Sequence, residues 1–92
     1  MSSIQSPWLV LRDDRFNLRV QNRSSTDRYY VKVGGPQVTR LWEWDVFAAG
    51  AVKLIRVMPG DDKGPEVNFE WSDDLDPNAE RHRLQEFPNP VR

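Results

Sequence analysis

The chain has 92 residues, of which 38% are apolar, 29% are charged and none is cysteine, and its formal net charge is −1. This length leaves room for one small domain and excludes a large two-domain enzyme. The lack of cysteine excludes a disulfide framework and thiolate chemistry, and the 11% aromatic content, which includes four tryptophans, excludes a disordered chain.

The first half of the chain shows alternation of apolar and polar residues. The apolar run at residues 8–11 predicts a strand and is far shorter than the roughly 20 residues of a membrane-spanning helix. Alternating residues predict two further strands, over 16–21 and 29–33. Because turn-forming residues join these two strands, we expect them to form a β-hairpin.

Three more segments of the same kind follow at intervals of about ten residues. Residues 42–46 and 67–71 alternate regularly, with the tryptophans of the first segment facing inward and Glu43 facing outward. Residues 52–58 carry apolar side chains on both faces, which favours a central strand or a β-bulge. Six strands of this spacing are typical of a β-sandwich or a small barrel.

The last residues differ in composition. Asp76 and Pro77 suit the start of a short helix, and Leu84 and Phe87 offer apolar side chains that could dock it. We therefore expect a β-sandwich domain over residues 1–75 and a short irregular or helical C-terminal arm over residues 76–92. The predicted core consists of Phe16, Leu18, Val20, Tyr29, Val31, Val33, Trp44, Leu54, Ile55, Val57, Phe69 and Trp71.

Several short motifs resemble those of bacterial immunoglobulin-like β-sandwich modules, which occur as accessory domains in larger proteins. The first motifs are a V-x-N-x-S strand, a loop leading to Asp-Arg-Tyr, and a V-x-V strand that ends in glycine. A tryptophan follows in the next segment. The last motifs are a strand that runs into a proline loop, and an aromatic strand followed by serine and Asp-Pro. The matching residues are Val20, Asn22, Ser24, Asp27, Arg28, Tyr29, Val31, Val33, Gly35, Trp42 or Trp44, Ile55, Val57, Pro59, Phe69, Trp71, Ser72, Asp76 and Pro77. The resemblance implies an immunoglobulin-like antiparallel β-sandwich of about six or seven strands and implies no chemistry.

The near-zero net charge is the sum of two unequal halves. Residues 1–60 carry nine Lys/Arg and five Asp/Glu, and residues 61–92 carry four and nine. Either the two halves neutralise each other in the fold, or the first half carries a basic face for an anionic partner. In the predicted hairpin, that face would carry Arg19, Gln21, Arg23, Tyr30 and Lys32.

The titratable residues do not form a recognisable catalytic set, so we expect no enzyme and no cofactor. His82 lies in a polar segment and is expected to be solvated. Tested as an EF-hand loop that starts at Asp74, the acidic run fails, because Ala79 replaces the required glycine and Gln85 the required glutamate. A looser calcium site built from Asp61, Asp62 and Asp73 stays open. Glu43 would point to solvent, and it would have no second carboxylate beside it for acid–base catalysis.

These observations favour a non-catalytic protein–protein interaction module or small adaptor in the cytoplasm, alone or within a larger multidomain protein. Its binding surface would be the basic face, a sheet edge, or the arm with Leu84 and Phe87. The alternatives are a self-assembling structural component, such as a phage or particle protein, and a carbohydrate-binding module. Nucleic acid is disfavoured, because a pI of about 5.7 lacks the usual basic excess.

Overall fold

A computed structural model describes residues 6–60 and 62–90, which form strands without helices. The strands are β1 (Trp8–Arg12), β2 (Asn17–Asn22), β3 (Arg28–Gly34), β4 (Trp42–Phe47), β5 (Val52–Arg56), β6 (Val67–Ser72), β7 (His82–Glu86) and β8 (Asn89–Pro90). The six strands predicted from alternation are all present, and β7 and β8 are additional. None of the described part of the chain forms a helix with the length and hydropathy to cross a bilayer.

The strands form two four-stranded sheets that face each other as a β-sandwich. Sheet A has the order β5-β2-β1-β8, and sheet B has the order β4-β3-β6-β7. Neighbouring strands are antiparallel except for the short parallel pairing of β1 with β8. The predicted all-β sandwich is therefore confirmed.

The predicted hairpin between β2 and β3 is wrong. The strands form where expected, but β2 pairs with β1 and β5, whereas β3 pairs with β4 and β6. The connection over residues 23–27 thus crosses from sheet A to sheet B. Alternation alone does not distinguish the two arrangements, because a half-buried strand has one apolar face whether its successor lies beside it or opposite it.

Trp8 joins the two sheets at the centre of the core. It lies on β1 of sheet A and is fully buried. Its ring stacks on Phe69, with ring centroids 4.8 Å apart, and meets Phe47 and Trp71 edge-on at 5.0 and 5.7 Å, all three on sheet B. Such aromatic pairs add to the stabilisation from buried apolar area.

The predicted core is confirmed for Leu18, Val20, Val31, Val33, Ile55, Val57, Phe69 and Trp71, which are all buried. It is wrong for Phe16 and Leu54, which are exposed, while Tyr29 and Trp44 are half-buried. The buried residues Trp8, Val10, Phe47 and Val67 complete the core. Phe16 precedes β2 and lies beyond the end of the sheet, so alternation within the strand does not apply to it.

β5 is a regular edge strand, which explains its two apolar faces without a bulge or a central position. Its five residues pair in register with β2, and Ile55 alone of the five is buried. Val52 and Leu54 point outward and are about half exposed. In a two-sheet sandwich one face of each strand contacts the core and the other faces solvent, so Val52 and Leu54 form a second, exposed apolar set.

Asn22 fixes the loops at one end of the sandwich. Its side chain is fully buried, and its Nδ2 donates to the carbonyls of Thr26 and Phe47 at 2.9 and 3.0 Å. Its Oδ1 accepts hydrogen bonds from both the backbone N–H and the hydroxyl of Ser24. One satisfied amide therefore orients the turn after β2 against the end of β4.

The C-terminal segment differs from the expected arm over residues 82–86. Residues 76–81 form turns, and His82–Glu86 then pair along the whole of β6. Asn89 pairs with Leu11 of β1, so the chain passes from the edge of sheet B to the edge of sheet A. The sequence gives no sign of β7 because an edge strand with one apolar residue shows no alternation.

Candidate functional site

The predicted basic face is divided between the two sheets. Arg19 and Gln21 alternate with buried residues of β2 and lie on the outer face of sheet A. Lys32 occupies the equivalent position on β3, on the outer face of sheet B. Because β2 and β3 face each other across the core, their outward side chains lie on opposite sides of the molecule.

The side chains of that predicted face also have partners within the fold. Arg19 forms an ion pair with Asp13 at 2.7 Å, and the Nε of Arg23 donates to the Ser6 carbonyl at 3.0 Å. Gln21 donates to the Gly50 carbonyl at 3.4 Å. These contacts hold each side chain near its own sheet.

Tyr30 has a structural position at a β-bulge in β3. Its φ of 53° is left-handed, and the pairing of β3 with β6 shifts register between Tyr29 and Lys32. Its hydroxyl donates to the Leu75 carbonyl, and the guanidinium of Arg81 lies 4.5 Å above its ring. Tyr30 thus holds the β6–β7 loop, and the strained backbone serves that contact.

Three of the predicted site residues, Lys32, Leu84 and Phe87, meet at one groove on the outer side of sheet B. The groove has a volume of about 820 Å³. Its other lining residues are Gly34, Gly35, Leu41, Asn68, Phe69, Glu70, Arg83 and Gln85.

The floor of the groove is low because one cross-strand row carries little side-chain volume. Gly34 pairs with Asn68, and Asn68 pairs with Gln85. Leu41 lies beside Gly34, and Phe87 follows the far strand β7, so the two form opposite walls. Their side chains are 56% and 58% exposed, which leaves two large apolar groups facing an open space.

A row of alternating charges borders this floor. Glu43, Lys32, Glu70 and Arg83 are cross-strand neighbours on β4, β3, β6 and β7. Glu70 accepts a hydrogen bond from the Nε of Arg83 at 2.9 Å and lies 3.8 Å from the Nζ of Lys32. One carboxylate thus holds two cations at the rim of the groove.

Arg83 has spare hydrogen-bonding capacity. Its side chain is 80% exposed, and it contacts Glu70 through Nε. Within residues 6–60 and 62–90 its two terminal nitrogens have no hydrogen-bond partner. A guanidinium fixed in this way presents its remaining N–H groups as a fork that suits a carboxylate.

The groove adjoins an edge of sheet B. β7 pairs with β6 on one side and is the last strand in the order of the sheet. Its other side therefore presents backbone N–H and C=O groups that a further strand could pair with.

The sequence does not indicate Gly34, Leu41, Glu70 or Arg83 as site residues. The glycine pair at 34–35 reads only as a strand stop, and Leu41 belongs to no periodic pattern. Its large apolar side chain next to a strand boundary is the one signal, and it is ambiguous because single exposed leucines are common.

The remaining titratable residues are arranged for structure. His82 is half exposed, and its Nε2 lies 3.1 Å from Oδ2 of Asp73. The other carboxylate oxygen of Asp73, Oδ1, accepts hydrogen bonds from Arg28 and from the Trp71 indole. The hydroxyl of the buried Ser72 donates to the Asp74 carbonyl. The described residues contain no cluster of three or more His, Asp or Glu side chains suited to a metal ion.

Among the described residues, the one shifted pKa belongs to Asp14, which lies in the β1–β2 turn and does not line the groove. Asp14 accepts hydrogen bonds from the Asn17 side chain and from the backbone N–H of Phe16. These bonds favour the carboxylate and hold the pKa of Asp14 below its ordinary value of 3.8. The effect belongs to the turn and not to the groove.

Compared with protein-family models, with curated proteins and with solved structures, the chain has no match.

Proposed function

We propose that the chain is a non-catalytic interaction module, and that it binds an extended segment of a partner protein at the groove on sheet B. The observation that carries the proposal is the pair of exposed apolar walls, Leu41 and Phe87, on either side of the groove floor, with the edge of β7, unpaired within the described residues, next to Phe87. A partner strand that pairs with β7 would gain main-chain hydrogen bonds there.

The chemistry of the groove indicates which segment would fit. An apolar side chain would cover the exposed surfaces of Leu41 and Phe87, and a carboxylate would accept hydrogen bonds from the free nitrogens of Arg83. Side chains on one face of a strand recur every second residue, so the two groups would lie two residues apart. The partner segment is therefore extended, with an apolar and an acidic residue on the same face, two positions apart.

We further propose that the sandwich is of the immunoglobulin-like type. In that fold, strands A, B and E share one sheet, and strands C, F and G form the other. With β1, β2 and β5 as A, B and E, and β3, β6 and β7 as C, F and G, each strand lies in the expected sheet. β4 then corresponds to the additional strand C′ beside C.

The test is a selection of random dodecapeptides displayed on phage, with the full chain as bait. Gly34→Leu would fill the floor of the groove, since the backbone at Gly34 is in an ordinary conformation and a Cβ would lie 3.4 Å from Leu41. Phe87→Asp would remove one wall. Leu75→Asp is the matched control, because Leu75 is 59% exposed and lies outside the groove.

We expect enriched peptides with an apolar and an acidic residue two positions apart that bind the wild type and Leu75→Asp equally. Both groove variants should weaken binding by at least about tenfold, the equivalent of about 1.4 kcal/mol. Peptides that bind the groove variants as well as the wild type would disprove the site. If light scattering shows that the wild type is a dimer and Phe87→Asp is a monomer, a second copy of the chain occupies the groove. Self-assembly would then replace this proposal.

A further inference from the structure

A second, smaller cavity lies at the end of the sandwich where β2 leads into β3. It has a volume of about 150 Å³ and is lined by Ser6, Pro7, Arg23, Ser24 and Arg28. The volume is several times the roughly 30 Å³ that a water molecule occupies in the liquid, so the cavity has room for one small polyatomic ion. None of these residues lines the groove on sheet B.

Arg23 is held at this cavity by the segment that precedes β1. Its backbone N–H donates to the Pro7 carbonyl at 2.8 Å, and its Nε donates to the Ser6 carbonyl at 3.0 Å. In the part of the chain that the structure describes, its two terminal nitrogens have no hydrogen-bond partner. The guanidinium is oriented and still has four N–H groups to offer.

Arg28 lines another side of the cavity and is more buried than Arg23. Its side chain is 18% exposed, its Nε donates to the Ser24 hydroxyl at 3.3 Å, and its Nη1 contacts Asp73. The Ser24 hydroxyl in turn donates to the buried Asn22 at 2.6 Å. The guanidinium of Arg28 is therefore fixed from two sides before any ligand arrives.

Among the described residues, only one carboxylate contacts either of the two arginines of the cavity. Two arginines line it, and Asp73 is the carboxylate that contacts one of them. That carboxylate also accepts a hydrogen bond from the Trp71 indole at 3.2 Å and lies 3.1 Å from His82. Two guanidinium groups on one small cavity repel each other, and an anion between them would remove that cost.

We propose that this cavity, which we call the oxyanion pocket, binds a single phosphate group, either as inorganic phosphate or as a phosphomonoester. Arg23 lies in the connection after β2 and Arg28 begins β3, so we place their N–H groups on different sides of the ligand. A tetrahedral anion offers acceptor oxygens in several directions, whereas a planar carboxylate offers two in one plane. The proposal does not depend on the groove or on a peptide partner.

The test is an NMR titration of the full-length ¹⁵N-labelled chain with inorganic phosphate, at an ionic strength held constant with chloride. We expect saturable shifts of the Nε–H signals of Arg23 and Arg28 and of the Trp71 indole, which shares Asp73 with Arg28. Arg23→Gln should weaken binding by about tenfold to a hundredfold, the range for hydrogen bonds to charged groups. Changes in its ligand-free spectrum should be confined to the residues around Ser6 and Arg23, because the variant loses the Nε bond to Ser6 but keeps its backbone hydrogen bond to Pro7.

Arg40→Gln is the matched control, since Arg40 is exposed and lies 4.3 Å over the Trp42 ring, away from the pocket. Its affinity for phosphate should equal that of the wild type. Saturable binding of methyl phosphate would support a phosphomonoester ligand, and binding of inorganic phosphate alone would support the free anion. Shifts that rise linearly without saturation, equal binding by Arg23→Gln, or equally tight binding of acetate would each disprove the oxyanion pocket.

Discussion

At the scale of single residues, the two adjacent glycines at the end of β3 have different roles. Gly35 has a φ of +150°, and a Cβ on it would lie 2.5 Å from the Glu66 carbonyl oxygen. Gly34 has an ordinary backbone conformation and room for a Cβ. The backbone conformation requires a glycine at position 35, and Gly34 leaves the floor of the groove open.

Alanine substitutions should separate these roles. We expect Gly35→Ala to lower the free energy of unfolding by about 2 to 4 kcal/mol, because the conformation disfavours a side chain and the clash is with backbone. Gly34→Ala should stay within about 1 kcal/mol of the wild type. Urea unfolding monitored by tryptophan fluorescence measures both, and equal losses in the two variants would contradict this assignment.

The sequence predicts part of the site, but it does not predict the backbone conformation of Tyr30 or the place of Leu41 in the groove. Lys32, Leu84 and Phe87 could be placed among candidate binding residues because they are charged or apolar at positions expected to be exposed. Their meeting at one groove depends on β7 pairing beside β6, which alternation does not reveal. The left-handed φ of Tyr30 is likewise a consequence of the bulge, which no local residue preference at a tyrosine indicates.

At the scale of elements, alternation located six strands but not their partners. Apolar side chains on every second residue define a face, and a face is the same whether the next strand is a neighbour or lies opposite. The β2–β3 connection has turn-forming residues that suit a hairpin, yet it crosses between sheets and is held by Asn22. The pairing is therefore decided by long-range packing and not by the turn.

The edge strand β5 makes a prediction about self-association. Lys53 pairs with the buried Val20 and so lies on the inward side of an edge strand, where a charge opposes the addition of another strand. Lys53→Val would leave β5 with apolar residues at four successive positions, 52–55. We expect this variant to associate in a concentration-dependent way in sedimentation velocity experiments.

The control for Lys53 is Lys63→Val, which removes the same charge from an exposed loop residue. It should sediment as the wild type does at every concentration. If the two variants sediment identically, the charge on β5 does not protect the edge.

At the scale of the whole molecule, the unequal charges of the two chain halves are partly neutralised by the fold. Arg28 pairs with Asp73, and Lys32 lies 3.8 Å from Glu70, so basic residues of the first 60 positions contact acidic residues of the remainder. The opposite charges of the two halves therefore meet between β3 and the segments around β6. Arginine side chains with spare N–H groups lie at the groove and at the oxyanion pocket.

Residues 82–86 of the C-terminal segment, expected as part of an arm outside the sandwich, instead form β7 at the edge of sheet B. Removal of residues 82–92 would leave β6 as an edge, and the buried Phe69 and Trp71 would lose their cross-strand neighbours Leu84 and His82. A domain of this size has a free energy of unfolding of only about 5 to 14 kcal/mol, so a loss of about 2 kcal/mol or more is a large fraction. We expect the melting temperature to fall by at least about 10 °C.

Truncation after Phe87 provides the comparison, because it keeps β7 and removes only the short pairing of β8 with β1. Its melting temperature, measured by circular dichroism, should lie much closer to that of the wild type. If removal of residues 82–92 left the melting temperature unchanged, β7 would be a dispensable addition to β6 and the groove would lack a stable wall. A large difference between the two truncations would instead show that the surface proposed to bind a partner is built from the same strand that completes the fold.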